Sequence, residues 1–452
     1  MGQPVPLMAR APVFLRQELS TATARLAALR APCAKGAHSQ ESLVAGPSQG
    51  CALRGLERIS CRWEYRQGGG QSATAQGDTD AEGSPACDRS DPWWQPIVAH
   101  LMLPYDHAIQ LRRAAVQDIK VVLTMDCEPS LATSHPSATG PVDWRAGEDA
   151  VLGYVNIAAQ YGLPVTLFVH PEAAVAQSAL FQELETRGAC LGLHMHPWKY
   201  SLWRHHGRKF LAHYGGLSAL EQGEILAESS ALWADAIGHR PHYFRPGTFS
   251  ANDAIFQVLA AQGFRGGSCS APGRLIPEMQ AIWIKCQPDP HRASAVFRQA
   301  QGELDFANMP LSADVSQPLA GPSGRSMFAD FRPDVDWPGQ YGMSYRTIAT
   351  NIVSQVGERK PAVPVLNSIT HNHYAYRDAA DPVRRRLCVM LDEMMAACHK
   401  AGLRVVPATL QDVADEVLAR PAVAEPFVCE GAIFDLSAGR AEFAGTGASL
   451  QI

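Results

Sequence analysis

Between residues 119 and 418, apolar β-branched runs alternate with amphipathic helical blocks, and the stretches joining successive runs are too long for hairpins. Strands connected in that way lie parallel, with helices as their crossovers. Ile119–Met125, Pro164–Val169, Leu191–His194, His242–Arg245, Phe264–Cys269, Val363–Thr370 and Leu403–Pro407 read as strands. Glu148–Tyr161, Glu172–Arg187, Asp253–Gln262, Pro382–Ala401 and Leu410–Leu418 read as helices between or after them. Another helix opens at the capping box Ser218-x-x-Glu221 and runs to Ile237, where Gly238 stops it. Residues 270–345 read as irregular, with strand candidates only at Ala281–Lys285 and Glu303–Asn308. The pattern predicts an α/β fold, and about seven such units favour a barrel over an open sheet.

A chain of 452 residues exceeds one ordinary core, but a barrel of roughly 250–300 residues with a leader and a tail fits. Residues 1–92 mix Gly, Ser, Ala, Gln and Arg without periodicity, with Gln67-Gly68-Gly69-Gly70-Gln71-Ser72 as the clearest flexible segment. Such composition buries no core and reads as a disordered or low-complexity leader. The barrel is placed at 93–420, and 421–452 is left as a weakly patterned tail. Within the leader, residues 10–35 are rich in Arg and Ala with Glu18 the only acid, which suits a transit peptide as well as it suits an unstructured arm.

A net charge of −5 removes the electrostatic footprint of a nucleic-acid binder. No apolar run reaches about eighteen residues, so no membrane span is predicted. The eleven cysteines contain no C-x-x-C pair and form an odd set scattered through strands and helices, which reads as reduced thiols in a cytoplasmic protein. A secretory pattern is not found at the amino terminus, and neither G-x-G-x-x-G nor G-x-x-x-x-G-K-[ST] follows any strand.

Four strand ends carry polar residues that an apolar core does not tolerate unpaired. Asp126 and Glu128 share one side of the first strand's end, because strand side chains repeat with period two. His194 and His196 share a side of the third, and Pro197 ends that ladder because it has no N–H to donate. Arg245 leaves the fourth at Pro246-Gly247, and His371 and His373 follow the strand after residue 363. In a parallel barrel all these ends open on one face. Carboxylates, imidazoles and a guanidinium converging there are the parts of a metal-assisted hydrolase: a divalent metal acidifies water, a carboxylate takes the proton and a histidine protonates the leaving group. By spacing, Glu128, His194 and His196 fill a three-ligand site and leave Asp126 as the base. The reverse, with Asp126 as ligand and Glu128 exposed beyond Pro129, remains open at this level.

The order of these motifs resembles the polysaccharide deacetylases (NodB-homology, carbohydrate esterase family four). Thr124-Met125-Asp126-Cys127-Glu128 is similar to that family's Thr-Phe-Asp-Asp opening and its D-x-[DE] variants, and Leu191-Gly192-Leu193-His194 to its Ile-Gly-x-His motif. Phe244-Arg245-Pro246 with Asn252 resembles its arginine motif, Val365 to His371 its last strand-and-histidine motif, and Ala401-Gly402-Leu403 to Asp412-Val413 its ending. Together these cover residues 119–418. The resemblance implies a distorted seven-stranded (β/α) barrel, one divalent metal, usually zinc, and hydrolysis of the acetamide of an N-acetylated sugar by a metal-activated water. It implies Asp126 as base, His194 as metal ligand, Arg245 as the residue orienting the base, and His371 as acid.

This sequence departs from the family twice: Cys127 stands where the metal-binding aspartate is usual, and Trp198 where the second histidine is usual. Glu128 and His196 then have to supply those ligands, unless Cys127 binds as thiolate, which the pleat disfavours. Two competing functions follow: a C–N hydrolase acting on a small amide, cyclic ones included, or a carbohydrate-binding accessory domain without its metal.

Overall fold

The computed structural model describes residues 118–134, 138–200, 213–320 and 326–422, with four short strands between 427 and 451. The proposed leader, residues 1–92, lies outside the described residues. The hub of the sheet is β1, Asp118–Cys127, in which every residue from Val121 onward is buried. Burial on both faces is what a parallel strand between layers requires, and it explains the unbroken apolar run. Helix α1 (Trp144–Gln160), capped by Asp143, leads to β2 (Val165–Val169). Helices α2 (Pro171–Ala176) and α3 (Ser178–Thr186) lead to β3 (Cys190–Met195). Helix α4 (Ala219–Ile237) carries the predicted capping box and ends at Gly238, whose φ of 103° only glycine adopts readily. Then come β4 (Tyr243–Pro246), α5 (Ile255–Ala261) and β5 (Gly266–Gly267).

Where residues 270–345 read as irregular, the chain instead builds an insertion. Strands β6 (Leu275–Ile276), β7 (Ala281–Ile282), β10 (Ala313–Ala320) and β11 (Ser326–Asp330) form a separate sheet in the order β10-β11-β6-β7. Between them β8 (His291–Arg292) and β9 (Ala307–Asn308) return to the main sheet, and α6 (Trp337–Tyr341) closes the segment. The sequence signal was weak because these strands are mostly two residues long and β10 is broken by Pro318 and a register shift. Helix α7 (Tyr345–Arg359), also not predicted, buries Tyr345, Ile348, Ala349, Ile352, Val353 and Val356 at helical spacing. The chain continues through β12 (Val365–His371), α8 (Pro382–Lys400), β13 (Arg404–Pro407) and α9 (Leu410–Ala419). The single helix predicted over Glu172–Arg187 is two, broken at Gln177, whose side-chain amide donates to the Trp144 carbonyl at 2.7 Å. In the tail, Phe427–Cys429, Ala432–Asp435, Arg440–Phe443 and Ser449–Gln451 pair antiparallel.

The main sheet runs β12-β1-β2-β3-β4-β5-β9-β8, parallel from β12 to β9, with β8 antiparallel at the edge. Strand β13 pairs with the start of β1, below the stretch that β2 occupies. The sheet curls, and its seam between β9 and β12 is bridged by loop residues. Ser312 N donates to the Asn367 carbonyl at 3.2 Å, Asn367 N donates to Ser312 Oγ at 2.9 Å, and Ile369 N donates to the Phe331 carbonyl at 3.0 Å. This is the α/β, distorted barrel expected from the sequence.

Alternation decides what lines the interior. Ile119, Val121, Leu123, Met125 and Cys127 pack outward in one apolar cluster with the helices. The other face of the sheet contributes Val122, Phe168, Cys190, Tyr243, Met309 and Val365 to a second cluster with Leu410, Val413 and Val417 of α9. Helix α9 therefore plugs the amino-terminal end of the strands. Their carboxyl ends, four or more residues further along the same face, are left for Asp126, Glu128 and His194. Among the described residues no helix is long and apolar enough to cross a membrane.

Candidate active site

Three functional strand ends are each followed directly by proline: Glu128-Pro129, His196-Pro197 and Arg245-Pro246. A residue without an N–H cannot extend the ladder, so the chain must turn where the polar side chains begin. All six residues selected by period and strand end meet here: Asp126, Glu128, His194, His196, Arg245 and His371. They divide into two groups around two carboxylates.

Asp126 is held by Arg245. Nη1 donates to Asp126 Oδ1 at 2.7 Å, Nε donates to the Ser268 carbonyl at 3.3 Å, and the guanidinium lies 4.1 Å from the Phe168 ring centre. His371 Nε2 faces Asp126 Oδ2 at 4.0 Å. Burial raises the Asp126 carboxyl, but Arg245, His194 and His371 outweigh it and hold the group below its usual range. His371 in turn donates from Nδ1 to Asp334 Oδ2 at 2.5 Å. Burial alone would lower this imidazole, but Asp334 raises it above its usual value, which favours the protonated ring facing Asp126. His373 stacks on His371 with ring centres 5.1 Å apart, and burial pushes it down to about 4. Of the two histidines, His371 has the carboxylate partner and the nearer position to Asp126.

Glu128 faces the other imidazoles: Oε1 lies 3.0 Å from His196 Nε2 and 3.4 Å from His194 Nε2. His194 Nδ1 donates to the Arg245 carbonyl at 3.0 Å, which fixes the tautomer and leaves the Nε2 lone pair turned toward the carboxylates. Ligand atoms of Glu128, His194 and His196 all lie within 4.8 Å of one another, and all three residues are buried. Burial pushes His196 down to about 3, so it presents a neutral imidazole. Burial raises the Glu128 carboxyl, but His196, Lys199 and His194 hold it well below the usual carboxylate range.

One carboxylate and two imidazoles are the donor set that catalytic zinc takes. Buried Glu128 Oε2 and His194 Nε2 have no hydrogen-bond partner among the described residues, a condition that buried polar atoms ordinarily avoid. These residues fit a divalent metal. Cys127, the sequence's other candidate donor, packs outward with the apolar cluster, and burial, with Asp126 and Glu128 on either side, pushes its thiol well up.

Several residues that build the site were not selected from the sequence. Lys199 Nζ lies 2.9 Å from Glu128 Oε1 and donates to the Thr139 carbonyl at 3.1 Å. Asn372 clamps the Glu128 backbone, accepting from its N–H at 2.9 Å and donating to its carbonyl at 3.1 Å. Asp334 comes from the loop after β11. Lys199 and Asn372 carried a signal, since each sits within three residues of a chosen histidine; Asp334 carried none.

No family model matches the chain, and no curated protein matches it. Solved structures do. A protein from Mycobacterium smegmatis classed as a polysaccharide deacetylase is 15% identical, with 71% of this chain and 100% of that one covered at a TM-score of 0.43. Puue allantoinase is 12% identical, with 67% and 91% covered at 0.40. A Pseudomonas aeruginosa PAO1 protein, also classed as a polysaccharide deacetylase, is 13% identical, with 66% and 91% covered at 0.40.

Proposed function

We propose that the chain is a metal-dependent amidohydrolase that removes the acetyl group of an N-acetylated sugar. The observation that carries this reading is the division of labour between two buried carboxylates on one strand end: Glu128 among imidazoles, Asp126 on Arg245 with His371 opposite. When bound by Glu128, His194 and His196, a divalent metal such as zinc supplies acidification of water and polarisation of the amide carbonyl.

The chain's own residues do the rest. Arg245 holds Asp126 ionised and fixes its orientation. Asp126 takes a proton from the attacking water, whose oxygen adds to the carbonyl carbon. His371, kept protonated by Asp334, gives its proton to the amide nitrogen as the C–N bond breaks, leaving acetate and an amine. The free thiols at Cys127, Cys190, Cys269, Cys286, Cys388 and Cys398 support a reducing, cytoplasmic setting.

The test is acetate or amine release by purified protein, with zinc supplied and with a chelator, from N-acetylated sugars set beside small linear and cyclic amides. Chelator-sensitive acetate release from a sugar supports the reading. Turnover confined to small amides moves the substrate to that class. No turnover of any amide by zinc-loaded protein overturns it.

A further inference from the structure

The partly exposed wall of the site is cationic in one place. Asp126, Glu128, His194, His196 and Lys199 are all but inaccessible, whereas His371, Arg274 and Arg332 keep 22%, 12% and 13% of their side-chain surface. Of these eight side chains, those three are the ones that solvent touches most. Each carboxylate around them is already claimed. Asp126 is bonded by Arg245, Glu128 by Lys199, Asp334 by His371, and Asp330 is held in a two-point bond by Arg332, with Nε at 3.2 Å and Nη2 at 3.0 Å.

Arg274 is the cation left over. Its one carboxylate oxygen within reach among the described residues is Asp330 Oδ2 at 3.9 Å, the oxygen Arg332 already holds. Its hydrogen bond from Nη1 to the Thr248 carbonyl is long at 3.4 Å. The guanidinium rests on Phe249, 4.8 Å from the ring centre, and Arg245 lies 5.5 Å from the same ring, so Arg274 is one ring away from the Asp126–Arg245 pair. Thr248 and Phe249 both have φ of 57°, a backbone state that costs non-glycine residues energy and persists where the surroundings impose it. Arg274 and Asp330 also line a small cavity with Pro272, Leu311, Met327 and Phe328, all within or beside the inserted sheet. Burial, then Arg332, lower Arg274 to about 9, which leaves it cationic at neutral pH.

We propose that this site selects amides carrying an anionic group in the same molecule, and that Arg274 receives that group. The inference rests on the amide-hydrolase reading above. A planar guanidinium with donors to spare matches a carboxylate or phosphate in two-point geometry, and a divalent metal would add to the positive field. A neutral amide leaves Arg274 with only the Asp330 oxygen that Arg332 also holds, in a poorly solvated place, which costs binding.

The test separates binding from turnover. Dissociation constants at pH 7 and low salt are measured on zinc-supplied protein for two matched pairs: N-acetylglycine against N-acetylglycinamide, and N-acetylglucosamine 6-phosphate against N-acetylglucosamine. We expect the anionic member of at least one pair to bind 10-fold or more tighter, and Arg274→Gln to bring that ratio near one. Arg274→Lys, which keeps charge but loses the planar fork, should restore part of it. Arg346→Gln, which removes an exposed arginine paired with Glu393 on the outer helices, should leave the ratio unchanged. Whichever pair responds identifies a small-acid or a sugar-phosphate ligand. Equal binding within both pairs, no binding of any of the four, or a ratio that survives Arg274→Gln overturns the proposal. Selective binding without hydrolysis would count against the hydrolase reading alone.

Discussion

Lys199 Nζ lies 2.9 Å from Glu128 Oε1, and each side chain is only 1% exposed. A buried ammonium therefore touches the carboxylate that would hold a metal. Removing one partner of a buried pair strands the other charge, at a cost of about 3–5 kcal/mol. Lys199→Met should lower the melting temperature of the zinc-free protein markedly. A ligand that binds only the folded state restores stability in proportion to its affinity and concentration, and the variant presents Glu128 without a competing cation. The rise in melting temperature on adding zinc should thus be larger for Lys199→Met than for the wild type. A smaller rise in the variant would mean that Lys199 supports the metal rather than competing with it.

The roles of the two carboxylates separate by substitution. Glu128 is the one within 3.0 and 3.4 Å of imidazole nitrogens, while Asp126 spends Oδ1 on Arg245 and lies 3.8 Å from His194. Glu128→Ala should abolish zinc binding in a metal titration. Asp126→Asn should keep zinc and lose turnover by about 100-fold or more, the usual scale of a positioned base. The opposite pattern, with zinc lost from Asp126→Asn and kept in Glu128→Ala, would exchange the two assignments.

Why these residues were legible, and others were not, follows from how local each constraint is. Asp126 and Glu128, like His194 and His196, are fixed by a two-residue repeat on a single strand, so spacing alone puts each pair on one face. The main strands were legible because burial on both faces leaves apolar runs such as Val121–Leu123. Asp334 was not, because its place beside His371 depends on an insertion whose strands are held by the rest of the fold, not by their own pattern. Asn372 had only its place between two histidines as a signal: its work is to bond the Glu128 backbone, 244 positions away, and no local period announces that clamp. Helix α7 was not predicted although its buried positions, Tyr345, Ile348, Ala349, Ile352, Val353 and Val356, recur at helical spacing.

The pH dependence of turnover should follow the two shifted groups. Asp126 is lowered, so the base is ionised above its own pKa and lost only as pH falls below the usual carboxylate range. His371 is raised above 6.5, so the proton donor is present below that raised value and lost as pH rises through it. Profiles of kcat/KM against pH should accordingly show an alkaline limb above 6.5. Asp334→Asn removes the carboxylate that raises His371, and the alkaline limb should move to lower pH with a reduced maximum. An unmoved limb would assign that ionisation to another group.

Gly247 is the position where the site has least room. A Cβ added there would come within 2.2 Å of His196 Cε1 and Nδ1 and 2.3 Å of Cγ, closer than real side-chain carbons approach anything. The glycine is thus required by the close approach of the β4 turn to the imidazole, which is the use glycine serves wherever backbone must pass a functional group. His196 cannot simply swing aside, since it is buried between Glu128 and Trp198, whose ring centre is 5.9 Å away. Gly247→Ala should therefore displace the imidazole from Glu128 and weaken zinc binding by about 10–100-fold, the range seen when a metal ligand loses its support. The strands themselves are untouched, so cooperative unfolding should persist in the zinc-free variant. His196→Ala provides the comparison: if His196 is a ligand, both variants should lose zinc to a similar extent. Should His196→Ala bind zinc as the wild type does, His196 is not part of the metal shell, and the three-ligand site built on Glu128, His194 and His196 is wrong.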